Sequence, residues 1–299
     1  MARIPAENLD ILRVAGGIRV IFDRREQVRL LNQDIMGEHD AILHYLTHAW
    51  TVAYHFGPQI DQIAKDEMRH LKWLAHSVVA LQGVPDLTTP QVIPVADIRG
   101  ALEADIHAEQ VAIAQYHAHS EQIADNRIQA LLQRIIVDEE CHLRLFREFL
   151  DQQHGQPWGA EGDPEAVSAL ATKLQDLVAM EYQQVISYLF SSFVSIHMRA
   201  IGMDFEDQAV DEMKHLGWIG EQLASLGYAP SFHRRAVGDH EMSRYLEVRH
   251  WSELHHPALV PLLDRIIGHE RYQEEMVPDG QWTVGTMIGA QNLRQTTDD

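Results

Sequence analysis

The chain has 299 residues, 45% of them hydrophobic, which is enough apolar material for one large core or two ordinary ones. Its 44 acidic and 24 basic side chains give a net charge of −20, which argues against binding to nucleic acid or anionic membranes and attracts cations. The single cysteine, Cys141, excludes a disulfide framework and any CxxC metal site. Without an apolar leader or a long apolar stretch, the expected location is the cytoplasm.

Apolar residues recur at three- and four-residue spacing along most of the chain, which predicts helices almost throughout. The dipeptide Gly57-Pro58 and the tripeptide Gly83-Val84-Pro85 indicate breaks between helices. Eight helices are predicted, near residues 24–54, 58–82, 97–124, 126–152, 165–198, 204–226, 239–254 and 258–276.

The stretch DQQHGQPWGAEGDPEA, at 151–166, is rich in Gly, Pro and polar residues and is typical of a linker. The predicted fold class is therefore all-α, with two four-helix bundles in tandem. The predicted parts are an N-terminal extension (1–26), a first bundle (27–153), a linker (154–164), a second bundle (165–276) and a tail (277–299).

The two halves of the chain are similar to each other. The motif DEMRHLKWL of the second predicted helix returns as DEMKHLGWI in the sixth. Glu38 is followed seven residues later by Tyr45, and Glu181 is followed at the same distance by Tyr188. Similarity over so long a period predicts a tandem duplication.

Acids and histidines of the first half have a spacing that suits metal binding. Residues i and i+3 share one face of a helix, so Glu67 can act with His70, and Glu139 with His142. Single acids on the first and third helices complete the set. Its oxygen and nitrogen donors suit two iron or manganese ions, and its buried carboxylates would need cations to balance their charge. The predicted ligands are Glu38, Glu67, His70, Glu109, Glu139 and His142.

At these residues the chain resembles the ferritin-like di-iron carboxylate proteins, which take one acid from each of two helices and Glu-x-x-His from each of the other two. The segments GEHDAILHY and DEMRH are most similar to bacterioferritin and rubrerythrin. The resemblance implies two bound iron ions, or manganese, and oxidation of Fe(II) by O2 or peroxide, for iron handling or oxidant removal. It also implies a homo-oligomer and a separate electron donor protein.

The second half departs from this pattern. Gln273 stands where the first half has His142, and the acid of the third helix is ambiguous between Glu241 and its neighbours His240 and Glu247. Two interpretations stay open, a weaker metal site and a scaffold that retains ancestral residues. The candidate ligands here are Glu181, Glu212, His215, Glu241, Glu270 and Gln273.

Other functions stay open beside iron oxidation. One is a di-metal oxidase or oxygenase with an organic substrate, and another is a structural bundle. A third is a haem-binding electron-transfer module, because the methionine that ligates haem in bacterioferritin corresponds to Met68 and Met213.

Tyrosines and histidines outside the ligand set have simpler interpretations. We predict that Tyr116 is a packing residue, and we leave Tyr45 open between packing and a role at the metals. Histidines outside the motifs, such as His44, His48 and His119, are interpreted as scattered surface residues.

Overall fold

The computed structural model contains a short hairpin and eight α-helices among the residues it describes. These residues are 11–13, 19–21, 23–51, 55–93, 95, 97–153, 164–195, 199–233 and 241–276. Strands β1 (Ile11–Arg13) and β2 (Arg19–Ile21) pair antiparallel. The helices are α1 (Arg24–Thr51), α2 (Gly57–Ala80), α3 (Ile98–Gln122), α4 (Asn126–Gln152), α5 (Pro164–Val194), α6 (Arg199–Ser225), α7 (Glu241–His255) and α8 (Val260–Met276).

The all-α fold class is confirmed, and all eight predicted helices are present. The hairpin was not predicted, since strands of three residues are too short to show an alternating pattern. The chain divides into two compact units, Met1–Trp158 and Gly159–Asp299, and the division falls inside the predicted linker. The predicted tail and most of that linker lie outside the described residues.

Side-chain caps explain where two helices of the first unit begin. The carboxylate of Asp97 accepts a hydrogen bond from the Gly100 N–H at the start of α3. The carboxylate of Asp125 accepts from the N–H groups of Arg127 and Ile128 at the start of α4. Each cap satisfies backbone donors that have no partner within the helix, so the start of each helix is set locally.

In the first unit, α1 packs mainly against α2 and α3 mainly against α4, while contacts between α1 and α3 are sparser. Fully buried residues such as Leu31, Leu74, Leu102 and Leu132 surround the middle of the bundle. Each buried side chain of this size contributes about 1.5–3 kcal/mol. This apolar shell stabilises a fold whose centre is occupied by polar groups.

In the second unit, α5 packs against α6 and α7 packs against α8. The described part of the third helix of this unit, α7, has 15 residues, and the residues directly before it lie outside the described part of the chain. A 3-10 turn, Pro257–Leu259, leads into α8.

Candidate metal centre

The six ligands predicted in the first half come together in the middle of the bundle, and all are buried. Their oxygen and nitrogen atoms form two groups of four, and within each group the atoms lie within 4.8 Å of one another. One group is Glu38, Glu67, His70 and Glu139, and the other is Glu67, Glu109, Glu139 and His142. Glu67 and Glu139 belong to both groups, so they stand where bridging carboxylates would lie between two ions.

Each imidazole directs its Nδ1 atom at the two shared carboxylates. His70 Nδ1 lies 2.9 Å from Glu67 Oε2 and 3.1 Å from Glu139 Oε1. His142 Nδ1 lies 3.2 Å from Glu139 Oε2 and 2.9 Å from Glu67 Oε1. The i,i+3 pairs of α2 and α4 therefore face each other across the bundle, as the spacing predicted.

The other ring nitrogen of each histidine faces an aspartate. His70 Nε2 is 3.3 Å from Asp138 Oδ2, and His142 Nε2 is 3.6 Å from Asp66 Oδ2. A carboxylate in this place holds the proton on Nε2 and leaves the Nδ1 lone pair for a metal. These two aspartates were not predicted, although each directly precedes the glutamate of a Glu-x-x-His motif.

Two buried tyrosines hold the single acids of α1 and α3. The Tyr45 hydroxyl donates to Glu109 Oε1 at 2.7 Å, and the Tyr116 hydroxyl donates to Glu38 Oε1. Burial and the adjacent carboxylates raise the pKa of both hydroxyls well above the usual value, so both remain donors. Both tyrosines pack in the core with a bonded hydroxyl, and each hydroxyl contacts a predicted ligand, which the packing prediction for Tyr116 did not include.

Two further histidines are also buried and paired. His48 Nδ1 lies 2.7 Å from Asp105 Oδ1, and His119 Nδ1 lies 2.7 Å from Asp34 Oδ1. For these two the surface interpretation was wrong, because at positions inside a bundle a histidine needs a polar partner.

These contacts follow one pattern that α1 and α3 share. Each helix carries an aspartate, then a glutamate four residues on, a tyrosine seven further and a histidine three further. The tyrosine and histidine of one helix bond the glutamate and aspartate of the other. The repeated spacing is a signal that sequence reasoning could have used. The members are Asp34, Glu38, Tyr45 and His48 on α1, and Asp105, Glu109, Tyr116 and His119 on α3.

The metal-free cluster retains protons. Burial, together with the neighbouring acids, raises the pKa of Glu38 and Glu109 well above the usual value. Burial alone would lower the pKa of His142, but Glu139 and Glu67 outweigh it and raise that pKa to about 11. Burial would likewise raise the pKa of Glu139, but hydrogen bonds from the two imidazoles lower it to about 2.

The donor set fits divalent ions. Among the described residues, every ion pair to the four glutamates comes from His70 or His142, and none comes from Lys or Arg. Glu109 Oε2 is buried without a hydrogen-bond partner. Two imidazoles can carry at most two positive charges beside four carboxylates, and oxygen and nitrogen donors of this kind suit iron or manganese.

The second unit gathers fewer ligands. Glu181, Glu212, His215 and Glu270 form one group within 4.8 Å. Gln273 has a buried Nε2 atom without a hydrogen-bond partner.

The third-helix acid of the second unit has three candidates. The side chain of Glu247 is 54% exposed and paired with Arg244, which removes it as an inward ligand. His240 and the side chain of Glu241 lie outside the described residues, so Glu241 stays a prediction.

Met68 and Met213 are both half-buried on α2 and α6, and haem binding stays a prediction. No helix among the described residues is long and apolar enough to cross a membrane.

The sequence profile of the ferritin-like domain family matches residues 28–154. The match covers most of the first unit, which is therefore similar to ferritin-like domains. The second unit repeats its order of four helices, which is consistent with the predicted duplication.

Two solved structures are similar to part of the chain. A ferritin-like di-iron-carboxylate protein from Bacillus anthracis str. Ames is 29% identical over 43% of this chain and 98% of its own, with a TM-score of 0.41. Bacterioferritin BfrA from Mycobacterium tuberculosis is 24% identical over 42% of this chain and 84% of its own, with a TM-score of 0.39. No curated protein matches the chain.

Proposed function

We propose that the first bundle binds two iron ions and oxidises Fe(II) with O2 or peroxide, as in iron handling or oxidant removal. The observation that carries the proposal is the pair of overlapping ligand groups that share Glu67 and Glu139. Four carboxylates balance the charge of two divalent ions while both imidazoles stay neutral. Because the charges balance, two divalent ions can lie next to each other in the buried centre of the bundle.

The reaction needs two electrons, and two Fe(II) ions supply one each. With O2 the balance is two Fe(II), one O2 and two protons giving two Fe(III) and one H2O2. With peroxide it is two Fe(II), one H2O2 and two protons giving two Fe(III) and two waters. The protein holds the ions as a pair and fixes the single acids, because Tyr45 and Tyr116 donate to Glu109 and Glu38.

A cavity between α1 and α3 gives access to the site. Its volume is about 390 Å³, and it reaches all four glutamates of the cluster. Small residues form much of its wall, for example Gly37, Ala41 and Ala108, and its ionisable lining is acids, histidines and tyrosines without Lys or Arg. An acidic cavity of this kind attracts cations such as Fe(II) toward the ligands.

The test is aerobic addition of Fe(II) to the metal-free chain, followed by the absorbance of Fe(III). We expect oxidation to continue beyond two equivalents of Fe(II) per chain. The variant E67A/H70A is expected to lose this activity. The control variant Glu140→Ala removes an exposed acid next to Glu139 and is expected to keep it. Equal rates in all three proteins would refute the proposal.

The same cavity also favours the second candidate, an oxidase or oxygenase for a small organic substrate, because it has room for a small molecule beside the ligands. In that case Fe(II) oxidation stops after one stoichiometric round, and the Fe(III) absorbance persists until substrate and reductant are added. Manganese or zinc in the native protein would argue against both candidates. The electron donor protein and the homo-oligomer are further proposals that rest on the family resemblance.

A further inference from the structure

The second bundle contains a buried cluster that the proposed function does not use. We infer that it is a mononuclear metal site, which holds one divalent first-row ion such as Zn(II), Mn(II) or Fe(II). Its ligands are Glu181, Glu212, His215 and Glu270, whose donor atoms lie within 4.8 Å of one another. The first three of these residues have no exposed surface at all.

The charges of this cluster require a cation. Three carboxylates face one nitrogen, His215 Nδ1, at 3.7 Å for Glu181, 3.2 Å for Glu212 and 3.0 Å for Glu270. The imidazole can bring only one positive charge to the group. Glu212 Oε1 has no hydrogen-bond partner, and among the described residues the ion pairs to Glu181 and Glu212 come from His215 alone. Uncompensated buried carboxylates of this kind are strongly unfavourable, and a bound cation removes the cost.

The histidine of the cluster is oriented as a ligand. His215 Nε2 lies 3.2 Å from Nδ1 of His269. In the aligned sequences His269 occupies the position that Asp138 has in the first bundle. When His215 Nε2–H donates to His269, the lone pair of His215 Nδ1 points at the three carboxylates. The centre of the Trp218 ring lies 5.8 Å from that of His215 and 5.9 Å from that of His269, so Trp218 packs against both imidazoles.

His269 also explains why this site binds more weakly than those of the first bundle. A neutral imidazole supports the ligand histidine less than the carboxylate of Asp138 does in the first bundle. Loss of such an outer partner lowers metal affinity by about 10–100-fold.

A second ion would lack an imidazole. In the first bundle His142 completes the second group of ligands. Gln273 follows Glu270 at the same spacing, and an amide is a poorer donor than an imidazole for iron, manganese or zinc.

The sequence of the second bundle also has no acid at the position that corresponds to Glu109. The Tyr245 hydroxyl donates to Glu181, just as Tyr116 donates to the first-helix acid of its own bundle. The two tyrosines thus define corresponding positions. Glu109 lies seven residues before Tyr116, and the residue seven before Tyr245 is Gly238, which has no side chain. The ligands that remain suffice for one ion.

A single ion cannot supply the two electrons of the reaction proposed for the first bundle. The second site therefore holds or passes on a divalent ion, and it does not itself reduce O2 by two electrons. This inference concerns ligands of the second bundle only, so its test does not depend on whether the first bundle oxidises iron.

The experiment is equilibrium dialysis of the metal-free full chain against Zn(II), with the bound metal measured by mass spectrometry. We expect three ions per chain, two in the first bundle and one in the second. E67A/H70A is expected to keep one ion, and Glu212→Gln, which preserves shape and removes a charge, is expected to keep two. Glu247→Gln is the matched control, at an exposed glutamate that pairs with Arg244, and it is expected to leave three.

Four ions in the wild-type chain would overturn the single-ion assignment, and loss of an ion in Glu247→Gln as well would overturn the assignment of the third ion to Glu212. Two ions in the wild type, with no change in Glu212→Gln, would overturn the site itself. Mn(II) provides a second readout that does not depend on counting. In E67A/H70A it should give the electron paramagnetic resonance spectrum of an isolated ion, and the absence of that spectrum would contradict the inference.

Discussion

The carboxyl groups of Glu67 and Glu139 are the side chains on which the first centre depends most, since each belongs to both groups of ligand atoms. The acids Glu38 and Glu109 each belong to one group only. Single substitutions should therefore divide into two classes, according to whether they affect one ion or both.

We expect Glu67→Gln to weaken the binding of both ions and Glu109→Gln to weaken only one. The loss should exceed about 100-fold for each affected ion, since even an outer partner of a ligand is worth about 10–100-fold. Anaerobic calorimetric titration with Fe(II) measures this, with Glu140→Gln as the control on an exposed acid. Equal effects of the two ligand variants would contradict the assignment of bridging and single acids.

Metal binding should release protons and strengthen with increasing pH. The pKa of His142 is raised to about 11 in the metal-free protein, so near neutral pH an ion must displace a proton from this imidazole. The pKa of His70 is raised as well, by Glu38 and Glu139 against the effect of burial. Affinity should therefore rise by about tenfold per pH unit for each displaced proton.

Calorimetry in buffers of different ionisation enthalpy counts these protons, and His142→Gln should release fewer. Affinity that does not change between about pH 6 and 8 would show that the imidazoles are already neutral.

Tyr116→Phe should destabilise the metal-free protein, because it leaves Glu38 without its buried donor. The expected loss in the free energy of unfolding is about 1–3 kcal/mol. Urea denaturation measures it, and Tyr228→Phe is the control because Tyr228 is 39% exposed. If the two variants were equally stable, the packing interpretation of Tyr116 would be correct after all.

At the scale of elements, α1 and α3 are joined by reciprocal contacts between buried polar groups. The pairs His48–Asp105 and His119–Asp34 lie beyond the tyrosine contacts, one pair on each side. Such pairs fix the register of two helices that otherwise contact each other sparsely beside the cavity. The pairs thus keep the two helices in position without filling the space that leads to the ligands.

A double-mutant cycle tests this role. His48→Leu leaves Asp105 buried without its partner and should cost about 3–5 kcal/mol in the free energy of unfolding. Adding Asp105→Leu to His48→Leu should recover part of that loss, since it removes the uncompensated acid. Chemical denaturation of the three variants gives the coupling. Strictly additive losses would mean that the two side chains act independently.

The helices of the first bundle and its two Glu-x-x-His pairs were predictable because both follow from local spacing. A period of 3.6 residues defines the helices, and the i,i+3 spacing puts Glu67 and His70 on one face. The roles of Tyr116 and His48 were missed because they depend on which faces of α1 and α3 are in contact. The periodicity of one helix does not show which helix packs against it, and only a comparison of the two helices shows their shared spacing.

At the scale of the whole molecule, the two units keep the same order of helices but differ in ligands. The first unit brings all six candidate ligands together, whereas the second has Gln273 in place of an imidazole and gathers four candidate ligands among the described residues. The change in ligand number follows from the loss of specific side chains and does not require a different fold.

Mössbauer spectroscopy of the chain loaded anaerobically with two equivalents of ⁵⁷Fe(II), before and after exposure to O2, tests most directly whether the first bundle holds an iron pair. The account predicts that both ions are oxidised together and give the spectrum of a magnetically coupled Fe(III) pair. The pair should be absent in E67A/H70A and present in E212A/H215A. Isolated Fe(III) in the wild type, or a coupled pair that survives in E67A/H70A, would contradict the account.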